Sequence, residues 1–189
     1  MTVSKGKLFI ISGASGVGKS TVLTKVMQAR EDLTFSVSAT TRLPRPGEVE
    51  GESYYFVSRE QFEDMISQGE FLEYDNHAKN FYGTPKGQLE EKLQRSNVIL
   101  DIEPNGAFAV RKERPDATLI FIMPPSMEEL ERRLRGRGDT SADQIAVRLD
   151  RAKWETEQRS NYDYIVINDR AEACAEEILN IIALKADEE

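Results

Sequence analysis

A glycine-rich segment that ends in lysine and serine is the clearest sign of chemistry in this sequence. Residues 13–20 read Gly-Ala-Ser-Gly-Val-Gly-Lys-Ser and fit the pattern G-x-x-x-x-G-K-[ST]. Glycines let the backbone turn so that several N–H groups point at one phosphate, beside the positive end of a helix. Lys19 would then reach the β- and γ-phosphates of a nucleotide, and the Ser20 hydroxyl would bind Mg²⁺. The segment therefore predicts a loop that binds a nucleoside triphosphate.

A carboxylate ends one of the apolar runs of the chain. Asp101 follows Val-Ile-Leu, which suits an acid that faces Mg²⁺ or orders water; the alternative is an ordinary strand-end aspartate that caps a helix. A GTPase would also need an Asn-Lys-x-Asp segment to bind guanine, and the sequence has none. The loop is therefore expected to serve an ATPase, a kinase or a transport-type nucleotide binder.

Two arginines on a proline-rich segment form a second candidate site. Arg42 and Arg45 alternate with Pro44 and Pro46, which favour an extended backbone. Stiffly held guanidinium groups suit bidentate binding of a phosphate, although an exposed loop without a ligand would have the same sequence. Further polar residues follow in the same region, and most tyrosines of this kind pack as half-buried anchors. These residues are Tyr54, Glu73, Tyr82, Gly83 and Thr84.

Apolar runs without alternation predict the strands that must hold these residues. Such runs are typical of parallel strands buried on both faces, and they lie at 7–12, 98–102, 118–123 and 164–168. A more alternating run at 34–38 suggests an edge strand. Amphipathic helices are expected at 19–30, 126–134 and 174–184. Strands that alternate with helices indicate an α/β fold of three layers.

The region 40–84 breaks this alternation. It is rich in glycine, proline and aromatic residues, and it has only short strand-like pieces such as 54–57. One helix is expected at 58–68, opened by a capping box of Ser58 and Gln61. We interpret the region as a small insertion carried on the main sheet.

Composition narrows the class of protein. The chain has 189 residues, of which 39% are hydrophobic, and a formal charge of −8. This length predicts one domain, and the acidic balance argues against broad nucleic-acid binding. Cys174 is the only cysteine, so an internal disulfide and a multi-cysteine zinc site are excluded. No secretory or membrane-spanning segment is recognisable, so we expect a cytoplasmic protein without a membrane partner. A homo-oligomer remains compatible with the sequence.

The surplus of acidic residues is expected on helices away from the phosphate site. These residues cluster at 60–64, 155–157 and 172–189. Residues 150–159 in particular are interpreted as a solvated helix on which Trp154 is the one anchoring aromatic. Net charge then affects solubility more than it affects a focused phosphate site.

Several blocks of sequence, taken together, resemble the guanylate kinase family. They follow the glycine-rich loop at 38–48, 51–57, 69–74 and 80–84, and the resemblance runs from 7 to 168. It implies a three-layer α/β P-loop NTPase fold with a central parallel sheet, a small mixed α+β acceptor-binding insertion and a short lid. The implied activity is a step of purine nucleotide metabolism, the transfer of the γ-phosphoryl group of ATP to GMP or dGMP with Mg²⁺.

The resemblance also implies boundaries and site residues. The kinase core would comprise 1–37 and 85–189, the GMP-binding insertion 38–84, and the lid about 134–148. The expected catalytic residues are Lys19, Arg42, Asp101, Arg137 and Arg148. The expected ATP-binding residues are Gly13, Ala14, Ser15, Gly16, Val17, Gly18, Lys19, Ser20, Thr21 and Asn168. The expected GMP-binding residues are Ser38, Arg42, Arg45, Tyr54, Glu73, Tyr82, Gly83, Thr84 and Glu103. Mg²⁺ would be held by Ser20 and by Asp101, directly or through water.

One segment departs from the family pattern. Where the family usually has an acidic residue, an apolar residue, Gln and Gly, this chain has Glu103-Pro-Asn-Gly, and Asn105 is one methylene shorter than Gln. The contact made there is expected to differ, so Asp101 is the firmer of the two acidic assignments.

The sequence leaves two alternative functions to be weighed against this one. A non-catalytic interaction module of the same fold usually lacks an intact phosphate loop, which Lys19 and Ser20 preserve here. A related kinase for a sugar phosphate would lack the guanine-binding set represented by Ser38, Glu73 and Thr84.

Overall fold

The computed structural model describes residues 6–77, 79–136 and 142–187. The strands of these residues are β1 (Leu8–Gly13), β2 (Leu33–Phe35), β3 (Ala39–Thr40), β4 (Tyr55–Phe56), β5 (Phe71–His77), β6 (Asn80–Pro85), β7 (Asn97–Asp101), β8 (Thr118–Met123) and β9 (Tyr164–Ile167). The helices are α1 (Lys19–Ala29), α2 (Arg59–Ser67), α3 (Lys86–Leu93), α4 (Pro104–Glu113), α5 (Met127–Gly136), α6 (Ala142–Glu157) and α7 (Ala171–Ala186), with a 3-10 helix at Gln158–Asn161.

A five-stranded sheet in the order β2-β7-β1-β8-β9 forms the centre of the fold. Every pairing in it is parallel. The four apolar runs form β1, β7, β8 and β9, and the more alternating run forms β2 at one edge. The α/β fold with a central parallel sheet is therefore confirmed.

Helices cover both faces of this sheet and produce two hydrophobic cores. Successive side chains of a strand point to opposite faces, so Phe9 and Ile11 join one core while Leu8 and Ile10 join the other. The first core is closed by apolar residues of α1 and α7, and the second by those of α3 and α4. The result is the expected arrangement of three layers.

A second, mixed sheet in the order β4-β3-β6-β5 occupies the region that breaks the alternation. Its strands pair parallel between β3 and β4 and antiparallel elsewhere. Helix α2 packs on it through Phe62, which is fully buried and stacks on Phe71 and Phe81 at centroid distances of 4.3 and 5.2 Å. The predicted capping box of Ser58 and Gln61 is present with both of its hydrogen bonds.

Helix α6 differs from its prediction as a solvated helix. Ala152 is fully buried and the Glu155 side chain is almost completely buried, whereas Trp154 is 40% exposed. Ile145 and Ala152, seven residues apart, both enter the first core and anchor one face of the helix. Glu155 lies beside that face, and the prediction was wrong there because a buried carboxylate looks like any exposed one in a hydropathy pattern.

The length and apolar character of a helix decide whether it could cross a membrane. Among residues 6–77, 79–136 and 142–187, no helix has the combined length and apolar character that crossing a membrane requires.

The stacked phenylalanines predict where the second sheet is most vulnerable. Phe62→Ala removes a fully buried ring and should lower the free energy of unfolding by about 3–5 kcal/mol. The matched control is Leu184→Ala, which shortens a side chain that is 57% exposed on α7 and should change stability by no more than about 0.5 kcal/mol. Urea denaturation followed by circular dichroism measures both. Similar losses in the two variants would contradict this account of the packing.

Candidate active site

The glycine-rich loop connects the central strand to the first helix at the carboxyl edge of the main sheet. Strand β1 ends at Gly13 and α1 begins at Lys19. Gly16 and Gly18 have positive φ angles of 88° and 93°, which favour glycine. A side chain at Gly16 would also place its Cβ 2.5 Å from Leu134 Cδ2 on α5. The pattern of glycines therefore follows from backbone conformation and from close packing.

Two side chains from distant parts of the sequence hold this loop. The Asn168 amide Nδ2 donates a 2.8 Å hydrogen bond to the Val17 carbonyl oxygen, and Asn168 is itself buried. The Ser15 backbone N–H donates a 2.7 Å hydrogen bond to Glu155 Oε2 on α6. The loop is thus fixed at two points before any ligand is present. Asn168 was expected at the ATP site, whereas Glu155 was not.

Lys19 and Asp101 form an ion pair at the start of α1. Lys19 Nζ lies 2.5 Å from Asp101 Oδ1, which ends the neighbouring strand β7. Burial acts to lower the pKa of Lys19, but the carboxylates of Asp101, Glu103 and Glu155 together outweigh it and the pKa is raised. The ammonium group therefore stays charged at the mouth of the loop.

A cavity of about 320 Å³ opens beside this ion pair and extends to the second sheet. It brings together residues predicted for the site that are far apart in the sequence, namely Lys19, Ser38, Arg42, Arg45, Tyr54, Glu73, Tyr82, Gly83, Asp101 and Glu103. Three further lining residues were not predicted: Asp75, Ile102 and Gly106. The cavity is large enough for a small polar ligand, and three cationic side chains line it: Lys19, Arg42 and Arg45.

Glu73 is a buried carboxyl group at the wall of this cavity. It pairs with Thr84 across the β5–β6 hairpin, and the Thr84 hydroxyl donates a 2.6 Å hydrogen bond to Glu73 Oε1. Burial raises the pKa of Glu73 to about 7, although the Thr84 hydrogen bond acts in the opposite direction. Gly106 on α4 leaves room for it, because a Cβ there would lie 2.9 Å from Glu73 Oε2.

Glu48 organises the arginine segment and was not predicted. Its two carboxylate oxygens accept hydrogen bonds from both terminal nitrogens of Arg42, at 2.8 and 2.9 Å, and the Arg45 backbone N–H adds a third. These contacts, the Arg42 hydrogen bonds foremost, lower the pKa of Glu48 to about 2. Arg42 also lies over the Tyr54 ring, 5.3 Å from its centroid. The sequence did contain a signal for this ion pair: an arginine followed six residues later by a glutamate in a proline-rich turn.

Some predicted residues lie away from the cavity. Arg148 is an exposed residue of α6 and does not line it. Ser20 and Thr21 are exposed on the first turn of α1. Arg137 lies outside the described residues, as does the segment 137–141 of the predicted lid.

Few oxygen-bearing side chains near the loop could contribute to a metal site. In the described part of the chain, no three histidine, cysteine, aspartate or glutamate side chains are grouped so that they could hold a metal by themselves. Ser20 is exposed beside the loop and the Asp101 side chain is 38% exposed. This sparse set of hard oxygen ligands fits Mg²⁺, which takes most of its ligands from phosphate and water.

Comparisons with known proteins agree with the geometry. A family model described as guanylate kinase matches residues 5–185. A guanylate kinase of Nostoc sp. is 52% identical over 174 residues, which are 92% of this chain and 87% of the relative. One from Lactococcus lactis is 46% identical over 179 residues, 94% of this chain and 87% of the relative. The crystal structure of guanylate kinase from Anaplasma phagocytophilum superposes with a TM-score of 0.80 at 37% identity, covering all of this chain and 90% of that one. The chain therefore belongs to the guanylate kinase family.

Proposed function

We propose that this chain transfers the γ-phosphoryl group of ATP to GMP or dGMP, giving ADP and GDP or dGDP. The observation that carries the proposal is the shared cavity, which is lined both by Lys19 of the phosphate loop and by Glu73, whose carboxyl is hydrogen-bonded to Thr84. Residues 1–37 and 85–189 would form the kinase core, and 38–84 the acceptor-binding insertion. The intact loop and the buried Glu73 favour this reaction over an interaction module or a sugar phosphate kinase.

The donor nucleotide would lie on the glycine-rich loop. Backbone N–H groups of 13–21 would surround its phosphates, and Asn168 would lie near the adenine. The positive end of α1 and the charge of Lys19 both favour an anion at this position. Because Lys19 is already held by Asp101 at 2.5 Å, the phosphates meet an ammonium group that is ordered in advance.

The acceptor phosphate would lie among the cationic and phenolic groups of the insertion. Arg42 and Arg45 would bind its oxygens, with Tyr54 and Tyr82 donating hydrogen bonds. Glu48 holds both terminal nitrogens of Arg42. These contacts within the protein orient the guanidinium group, which would reduce the entropy lost when GMP binds.

The guanine base would be recognised by Ser38, Glu73 and Thr84, and Glu103 would flank the GMP site. An ionised Glu73 can accept hydrogen bonds from guanine N1–H and from its exocyclic amino group. Adenine offers a lone pair at N1 instead, which would leave a buried carboxylate without a partner. Burial of Glu73 is thus what makes the wrong base unfavourable.

The reaction itself needs alignment and charge neutralisation more than covalent chemistry. A phosphate oxygen of GMP would attack the γ-phosphorus in line, while the bond to the β–γ bridging oxygen breaks and ADP leaves with that electron pair. Arg42, Arg137 and Arg148 would neutralise the negative charge between the two phosphates, and one such arginine can contribute about 10³–10⁵ in rate.

Closure of the lid, 134–148, would exclude water. Mg²⁺, when held by Ser20 and by Asp101 directly or through water, would neutralise charge on the β- and γ-phosphate oxygens.

The choice of acceptor tests the reaction directly. An ADP-release assay with ATP and Mg²⁺ should give turnover with GMP and dGMP and little with AMP, UMP or ribose phosphates, because only guanine satisfies Glu73. Omission of the acceptor controls for hydrolysis of ATP by water. Faster turnover with AMP or with a sugar phosphate than with GMP would rule out the proposed reaction.

Removal of the loop lysine tests the donor site. Lys19→Ala should lower kcat by at least about 10²-fold, because a preorganised charge at the transferring phosphate is lost. Circular dichroism should stay unchanged, since the Asp101 carboxyl left behind is 38% exposed and can be hydrated. Lys25→Ala is the matched control: it removes a lysine of the same helix that pairs with Glu172. Near-normal turnover of Lys19→Ala would contradict the assignment of the loop.

The raised pKa of Glu73 predicts how GMP binding depends on pH. With a pKa of about 7 in the ligand-free protein, the carboxyl is mostly protonated below about pH 6 and mostly ionised above about pH 8. Since the ionised form accepts both guanine N–H groups, GMP affinity should rise with pH across this interval. Calorimetric titration measures it.

The matched variant for this prediction is Glu73→Gln, which keeps the shape of the side chain and removes its titration. It should bind GMP about 10- to 100-fold more weakly and lose the Glu73 part of the pH dependence. The titration of the GMP phosphate is common to both proteins and cancels in the comparison. The KM for ATP should change little, and equal losses for both nucleotides would count against a guanine-binding role.

A further inference from the structure

Glu155 is a buried carboxylate that the proposed reaction does not use. Its side chain is only 3% exposed, and each of its oxygens has a partner. Oε2 accepts the 2.7 Å hydrogen bond from the Ser15 N–H of the phosphate loop, and Oε1 accepts a 3.0 Å bond from Arg151 Nε. Burial of a carboxylate is unfavourable unless it is paired in this way, so these two contacts determine where Glu155 can lie.

Arg151 continues this chain of contacts to the acceptor side of the cavity. Its Nη2 forms an ion pair with Glu103 Oε2, while its Nε holds Glu155. Glu103 lines the cavity and precedes the first turn of α4. A continuous series of hydrogen bonds with charged partners therefore links Ser15 in the donor loop to Glu103 in the acceptor pocket.

The same face of α6 carries one of the expected catalytic arginines. Arg148, Arg151 and Glu155 are spaced at i, i+3 and i+7 and lie along one side of the helix. Ile145 and Ala152 anchor the helix in the first core. Contacts that fix Arg151 and Glu155 therefore also fix the rotation of the helix that presents Arg148.

We propose that Arg151 and Glu155 are positioning residues that couple the donor loop to the acceptor pocket, an inference that rests on the proposed function. One guanidinium group is shared between two carboxylates, so a change at either carboxylate alters the charge left for the other. When GMP binds in the cavity beside Glu103, the hold of Glu103 on Arg151 weakens and Arg151 turns more fully to Glu155. Glu155 then fixes the Ser15 end of the loop more firmly for the triphosphate. Such a coupling is reciprocal, so ATP should strengthen GMP binding by the same factor.

Only an arginine can make this connection. The contacts to Glu155 and Glu103 come from two different nitrogens of one planar group, Nε and Nη2. A lysine has a single charged head on a flexible stem and can hold one carboxylate well, but not two in fixed directions. Arg151→Lys should therefore restore charge without restoring the full coupling.

The coupling can be measured by calorimetric titration of GMP with and without an ATP analogue whose β–γ bridge cannot be cleaved. The unaltered protein should bind GMP more tightly in the presence of the analogue, by a factor of about five or more. In Arg151→Gln this factor should fall below about two, and Arg151→Lys should lie between. Glu155→Gln should reproduce the loss, because its amide can still accept the Ser15 N–H but presents an N–H₂ group to Arg151.

The matched control is Lys153→Gln, which removes one positive charge from the exposed side of the same helix, where Lys153 pairs with Asp150 at 3.5 Å. It should retain the full coupling factor, and thermal unfolding should show that all variants fold. A factor near one in the unaltered protein, or an unchanged factor in Arg151→Gln, would overturn the inference while leaving the proposed function intact. Failure of the unaltered protein to bind GMP or the ATP analogue would instead reject the proposed function.

Discussion

The parallel pairing of β1 with β7 is the interaction on which the site depends. Its register sets Ile11 opposite Asp101, so both strands end at the same edge of the sheet. The chain leaving β1 turns through the glycine-rich loop and enters α1 at Lys19, which then meets the carboxylate that ends β7. Burial of both strands on both faces leaves no freedom to slip by one residue, because a slip would exchange the faces of every side chain. The ion pair between Lys19 and Asp101 is therefore a consequence of packing in the two cores.

Charge in the cavity is arranged as pairs that exist before any substrate binds. Lys19 is held by Asp101, Arg42 by Glu48, and Arg151 by Glu103 and Glu155. Each cation is thereby oriented without the cost of an unpaired buried charge. A net charge of −8 for the whole chain is compatible with such a site, because local pairs and not the total determine the field in the cavity.

In the proposed reaction, specificity would depend on a different constraint, the burial of one carboxyl group. Glu73 lies on the β5–β6 hairpin, and α4 approaches it so closely that a Cβ at Gly106 would lie 2.9 Å from Glu73 Oε2. The pocket for the base therefore needs both the second sheet and the helix that follows β7. Exclusion from water raises the pKa of Glu73, and the hydrogen bond from Thr84 acts in the opposite direction. Stability and recognition are thus linked through the same contact between the two sheets.

Most residues that line the cavity were expected from the family resemblance. The sequence by itself determined the strands of the main sheet, the phosphate loop and the start of α2. These features follow from local rules: apolar runs form buried strands, glycines allow positive φ, and a capping box starts a helix. The roles of Glu48 and Glu155, and the exposure of Trp154, were decided only by the tertiary structure. A glutamate has the same hydropathy whether water or a distant arginine surrounds it, so its partner becomes visible only when the chain has folded. For that reason the local elements could be predicted, whereas the charge pairs that join donor loop, acceptor pocket and α6 could not.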